Sequence, residues 1–124
     1  MLNTEDLVFT RGEDGNLIAK EVKLNLPNEP IVKVKPLTRG KLQEIYAKAS
    51  SGTADEKLQA DNEVLREGLA EPKLTEEQLK DLKPQFATAI STAILSVSLG
   101  ISQEEVTTQA EKVLSNQEAE LKKN

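Results

Sequence analysis

The chain has 124 residues and a formal net charge of −5, from 21 acidic and 16 basic side chains. It contains no Cys and no His, which removes disulfides, thiolate metal sites, the commonest metal ligand and the commonest general base together. Phe9, Tyr46 and Phe86 are the only aromatic residues, so base stacking has little to work with, and the negative balance repels phosphate backbones. Apolar residues make up 37% of the chain, below the ordinary share for a globular domain, which predicts a thin core and with it either a mobile part of the chain or stability drawn from a partner or a second copy, a homo-oligomer.

Met1 to Asp6 is polar and acidic, with no basic segment leading into an apolar one. The longest uncharged stretch, Pro84 to Gln103, is broken by several Ser and Thr and by Gly100, so no segment reads as membrane-spanning and the expected location is cytosolic.

In chain order, Leu7-Val8-Phe9 reads as a short apolar strand, followed by a tight turn at Asp14-Gly15. Ile18, Val22, Leu24 and Leu26 share the period of one strand face, Pro27-Asn28-Glu29-Pro30 is turn chemistry, and Val32 and Val34 alternate with lysines until Pro36. Two or three antiparallel strands with one wet face are expected, and such a ribbon needs a helix across it.

From Leu37 the signals become helical. Thr38 caps a first helix, stapled by Leu37 and Leu42, with an apolar stripe of Leu42, Ile45, Tyr46 and Ala49. Thr53 and Glu56 box a second, whose stripe is Leu58, Leu65 and Leu69 and which Pro72 closes; Thr75 and Gln78 box a third, stapled by Leu74 and Leu79. The fourth runs from about Gln85 to Leu99 with Phe86, Ile90, Ala93, Ile94 and Val97 on one face, and Gly100 ends it. Ser102 and Glu105 start a fifth, stapled by Ile101 and Val106, with Ala110, Val113, Leu114 and Leu121 continuing its stripe. The predicted fold is α+β: a short N-terminal antiparallel β-ribbon over 1–36, then a bundle of about four to five helices over 37–124 whose C-terminal end frays, all within one domain spanning 1–124.

No constellation for catalysis emerges. The pairs Asp55-Glu56, Glu76-Glu77 and Glu104-Glu105 each sit in a first helical turn, where negative charge is stabilised by free N–H groups. Adjacent helical residues do not face a common substrate. Gly12, Gly15 and Gly40 form no phosphate loop, and no Ser has a His partner. The expectation is a protein that is not an enzyme and carries no cofactor and no metal.

Two helices offer surfaces instead. The second face of the fourth helix (Thr88, Ser91, Thr92, Leu95 and Ser98) is small and uncharged in a chain otherwise dense in Lys and Glu. Such a face is either buried among neighbouring helices or a binding surface. The fifth helix is either a loosely packed, fraying end or a docking helix. The candidate partner-binding residues are Thr88, Ser91, Leu95, Leu99, Val113, Leu114 and Leu121.

The segment Val34-Lys35-Pro36-Leu37-Thr38-Arg39-Gly40-Lys41-Leu42 follows the strands, and Gly68-Leu69-Ala70-Glu71-Pro72-Lys73-Leu74-Thr75-Glu76-Glu77-Gln78-Leu79 precedes the uncharged helix. This order resembles the tail assembly chaperones of long-tailed phages and prophages of Gram-positive bacteria, with Pro72, Lys73, Leu74, Thr75 and Leu79 matching the mid-chain pattern over a resemblance that covers roughly residues 30–100. The resemblance implies a host-cytoplasmic chaperone that binds the tape measure protein, keeps it soluble and recruits tail tube subunits, with no nucleic-acid or membrane partner. A structural tail or connector subunit and a small protein-binding adaptor are the alternatives.

Overall fold

The computed structural model describes residues 2–50 and 53–108. Its elements are α1 (Thr4–Leu7), β1 (Lys20–Lys23), β2 (Ile31–Val34), α2 (Arg39–Ser50), α3 (Ala54–Gly68), β3 (Leu69–Glu71), α4 (Glu76–Lys80) and α5 (Pro84–Leu99), with residues 103–108 helical again. The fold is α+β, a small antiparallel sheet against helices.

The ribbon forms where the alternation places it. β1 pairs with β2 from Lys20–Val34 to Lys23–Ile31, and Val22, Leu24, Val32 and Val34 turn inward from strands whose other face is charged. The connecting turn puts Asn28 and Glu29 at positive φ, a conformation short polar residues accept best. The third strand is not the expected Leu7-Val8-Phe9. That segment is the short helix α1 followed by extended chain, and Leu7 and Val8 are 68% and 61% exposed. The strand beside β2 is β3, supplied by the chain leaving α3, and the sheet order is β1-β2-β3. With a run of only three apolar or charged residues before Pro72, β3 has no periodicity of its own; its position beside β2 makes it a strand.

The helix starts follow the local chemistry. Thr53 accepts from the Glu56 N–H, Thr38 from Lys41 and Ser102 from Glu105, while Thr75 and Gln78 cap each other reciprocally. Pro84 opens α5 and Gly100 closes it at φ 69°, the left-handed geometry in which the Gly100 N–H returns to the Ser96 carbonyl. Helix faces follow the sequence less closely. Ile45 of α2 is buried, but Tyr46 is 54% exposed; on α3, Leu65 is buried while Leu58 is 61% exposed, Ala60, Glu63 and Gly68 take the inner positions, and Leu69 is buried at the start of β3. Ile18 is likewise half exposed rather than part of the strand's inner face.

One core joins the layers. Leu24 and Val34 from the sheet, Leu37 and Ile45, Ala60 and Leu65, and Ala89, Ile90, Ala93 and Ile94 from α5 belong to a single buried cluster. α5 lies at its centre, with Ala93 and Ile94 wholly buried. Gly68 lets α3 approach: a Cβ there would stand 2.6 Å from Ile94 Cδ1 and Cγ2. Ser98 ties α5 to the chain entering α2, accepting from the Leu37 N–H at 2.7 Å and donating to the Ile94 carbonyl.

α2 and α3 pack side by side and share a buried acid. Glu63 receives the Lys48 ammonium at 2.7 Å and the Lys41 ammonium at 3.4 Å. The Lys48 hydrogen bond holds the Glu63 carboxyl below its ordinary pKa, Lys41 adds to this, and burial opposes it. A carboxylate so shifted stabilises the fold above its unfolded pKa, about 4.3, and that contribution is lost as pH falls through the lower, folded value. Glu63→Gln is therefore expected to lower the stability at pH 7 by about 1 kcal/mol. In urea titrations the gap to the unmodified chain should narrow steadily below about pH 4; a gap that persists unchanged at pH 3 would show the pair contributes no ionic stabilisation.

Candidate functional site

α5 carries the uncharged surface that the residue types mark out. From Pro84 to Leu99 this helix carries no charged side chain. Phe86, Ile90, Ala93, Ile94 and Val97 occupy its inner face, so the opposite side presents Thr88, Ser91, Leu95 and Leu99 at i, i+3, i+7 and i+11. α5 is the central core helix, and its outward face is not sealed: Thr88 is exposed, Leu99 is 47% exposed, and Ser91 and Leu95 are half-buried.

The candidate residues divide accordingly. Thr88, Ser91, Leu95 and Leu99 share one stripe, whereas Ser98, from the same uncharged set, is committed to the Leu37 and Ile94 backbone. Val113, Leu114 and Leu121 lie outside the described residues. The fifth-helix start is partly described, and there Val106 is buried.

Sequence reasoning missed a groove beside this stripe. Leu26 from the β1–β2 turn, Pro84, Thr88, Ala89 and Thr92 from α5, and Gln103 enclose about 380 Å³ of mainly apolar space. The Gln103 side-chain N–H donates to the Lys23 carbonyl at 2.9 Å, which fixes the amide's orientation and turns its oxygen inward. That oxygen is buried and has no hydrogen-bond partner among the described residues. Leu26 and Gln103 lie far from α5 in sequence, and nothing in the local pattern joins them.

Ionisable groups gather elsewhere. A cavity of about 220 Å³ near the start of α2 is lined by Arg11, Lys35, Lys41 and Glu67. Lys41 there is bound to Glu44, Glu63 and Glu67, and its pKa is raised, chiefly by the Glu44 hydrogen bond. The opposed charges of Lys41 and its three carboxylate partners neutralise one another. On the surface Arg66 grips Glu76 through two hydrogen bonds, one of 2.9 Å, which raises the guanidinium pKa and lowers the carboxyl. This ion pair joins α3 to α4. No group of His, Cys, Asp or Glu suited to a metal ion occurs among the described residues, and none of their helices is long and apolar enough to cross a membrane.

No protein-family model matches the chain, no curated protein matches its sequence, and no solved structure matches its fold.

Proposed function

We propose that this chain is a phage tail assembly chaperone, which binds the tape measure protein in the host cytoplasm, keeps it soluble and recruits tail tube subunits. The observation that carries the reading is the uncharged outward face of α5, where exposed Leu99 and half-buried Leu95 stand among small hydroxyl side chains. A chaperone that must leave before the tail is complete needs reversible apolar contact with fast release. A shallow stripe of aliphatic and hydroxyl groups without charges supplies contact of that kind along a partner helix. The resemblance of Val34–Leu42 and of Gly68–Leu79 to the family supports the same reading. In it the chain performs no reaction and uses no cofactor, nucleic acid or membrane.

Co-expression with the tape measure protein tests this. The expected result is a rise in soluble tape measure protein and its co-purification with this chain. Ser91→Glu combined with Leu99→Glu is expected to bring the soluble fraction back to the level without chaperone. Leu99 is a surface position, where a change is worth no more than about 0.5 kcal/mol in stability, and Ser91 is half-buried, so the urea midpoint of the double variant is measured to show that the fold is kept. No gain in solubility with the unmodified chain would refute the chaperone reading. Stoichiometric recovery from finished particles by mass spectrometry would favour the structural-subunit alternative.

A further inference from the structure

The described N-terminal residues carry apolar side chains that their own copy does not bury. Leu2, Leu7, Val8 and Phe9 are all exposed, although α1 itself is closed at its start by the Asn3 N–H donating to the Asp6 carboxylate at 3.1 Å. Isolated exposed aliphatic residues need no explanation, but a contiguous Leu-Val-Phe run does. The arm is rooted at the bridge between Arg11 and Leu17, and Arg11 lies over Lys35 to Thr38, at the end of the ribbon where Lys20 faces Val34. The α5 groove lies at the other end of that ribbon, beyond the Lys23–Ile31 pair, where Leu26 reaches Thr88 and Ala89.

Two features of the groove describe its occupant. Its walls are mainly apolar, with the hydroxyls of Thr88 and Thr92 and the Gln103 side chain among them. An extended peptide brings apolar side chains together with main-chain polar groups, which suits a groove lined in this way. The groove also opens at the N-terminus of α5, which has no acidic residue in its first turn and no side-chain cap, with Lys83 at the cap position. The positive end of the helix dipole and the Lys83 ammonium there favour negative charge. The arm carries Glu5 and Asp6 immediately before Leu7.

We infer that the arm of one copy docks in the groove of a second copy, with Leu7, Val8 and Phe9 against Leu26, Pro84 and Ala89 and with Glu5 and Asp6 toward Lys83. This self-association stands independently of the tail-chaperone reading. The contact joins two different patches, so each copy retains one arm and one groove. Assembly is therefore concentration-dependent, and single substitutions divide into arm-defective and groove-defective classes that complement each other.

Sedimentation velocity across a concentration series, with the full chain, tests this. The unmodified chain is expected to rise from its 13.6 kDa monomer mass as concentration increases. Leu7→Asp combined with Val8→Asp removes the arm's apolar contact, and Thr88→Arg fills the groove mouth; all three positions are exposed, so circular dichroism should show unchanged folding. Each variant alone should remain monomeric. An equimolar mixture should regain a twofold mass, because the intact groove of one accepts the intact arm of the other. The inference is overturned if the unmodified chain stays monomeric to about 1 mM, the weak end of specific association. It is equally overturned if either variant still assembles alone, or if the mixture stays monomeric.

Discussion

Placing a valine at position 68 is expected to cost about 3 kcal/mol, at the upper end of the range for overfilling a close-packed site. The last turn of α3 meets α5 through this glycine, and even the first side-chain carbon would come within 2.6 Å of Ile94. Ile94 cannot move aside, because it is wholly buried in the cluster that joins the sheet to the helices. α3 would have to lift away from α5, and since β3 follows Gly68 directly, the third strand would lose its register with β2. Chemical denaturation of Gly68→Val measures the loss. Gly68→Ala should cost less, and adding Ile94→Val to it should recover part of the difference, because the two sites share one volume. If the double variant is no more stable than the sum of the single losses, the close approach of α3 to α5 is not the cause.

Leu24→Ala is expected to cost about 3 kcal/mol and to do so for the whole molecule. Leu24 follows β1 directly, is 1% exposed and belongs to the same buried cluster as Ile90, Ala93 and Ile94. Removing it leaves a cavity between sheet and helix that neither can fill alone. If ribbon and helices form one cooperative unit, circular dichroism at 222 nm and the fluorescence of Tyr46 on α2 should report the same lowered midpoint. Were the helices to keep their original midpoint after the truncation, the ribbon would be an appendage and the single-domain reading would fail.

The two predictions concern contacts that sequence patterns represent unequally. Gly68 reads as one more glycine after a weak helical stripe, and its role exists only because Ile94, 26 positions later, arrives against it. Leu24, by contrast, follows directly from the alternation through Val22, Leu24 and Leu26, and its burial is as expected. Glu63 was legible only as one of many surface acids. It faces inward because α2 brings Lys41 and Lys48 to the same side, a pairing across 22 and 15 positions.

The candidate site shows the same division. The uncharged face of α5 was visible from residue types alone, because helical geometry converts spacing directly into position on a face. Whether that face was sealed or open was not visible, and the structure leaves Thr88 and Leu99 exposed. The groove beside it required Leu26 and Gln103 to converge from either end of the chain.

What the amino-acid sequence determined by itself are the features settled within about four residues: the caps at Thr53, Thr75 and Ser102, the start at Pro84 and stop at Gly100, the turns at Asp14-Gly15 and Asn28-Glu29, and the alternation of β1 and β2. Each rests on a hydrogen bond or a dihedral preference between near neighbours, which packing does not need to supply. Tertiary structure alone decided that Leu69–Glu71 is a strand, that Leu7–Phe9 is not, and that Tyr46 and Leu58 face water while Glu63 does not. Those outcomes depend on which surfaces compete for a thin core, and a short segment adopts whatever conformation its distant neighbours can pair with or bury.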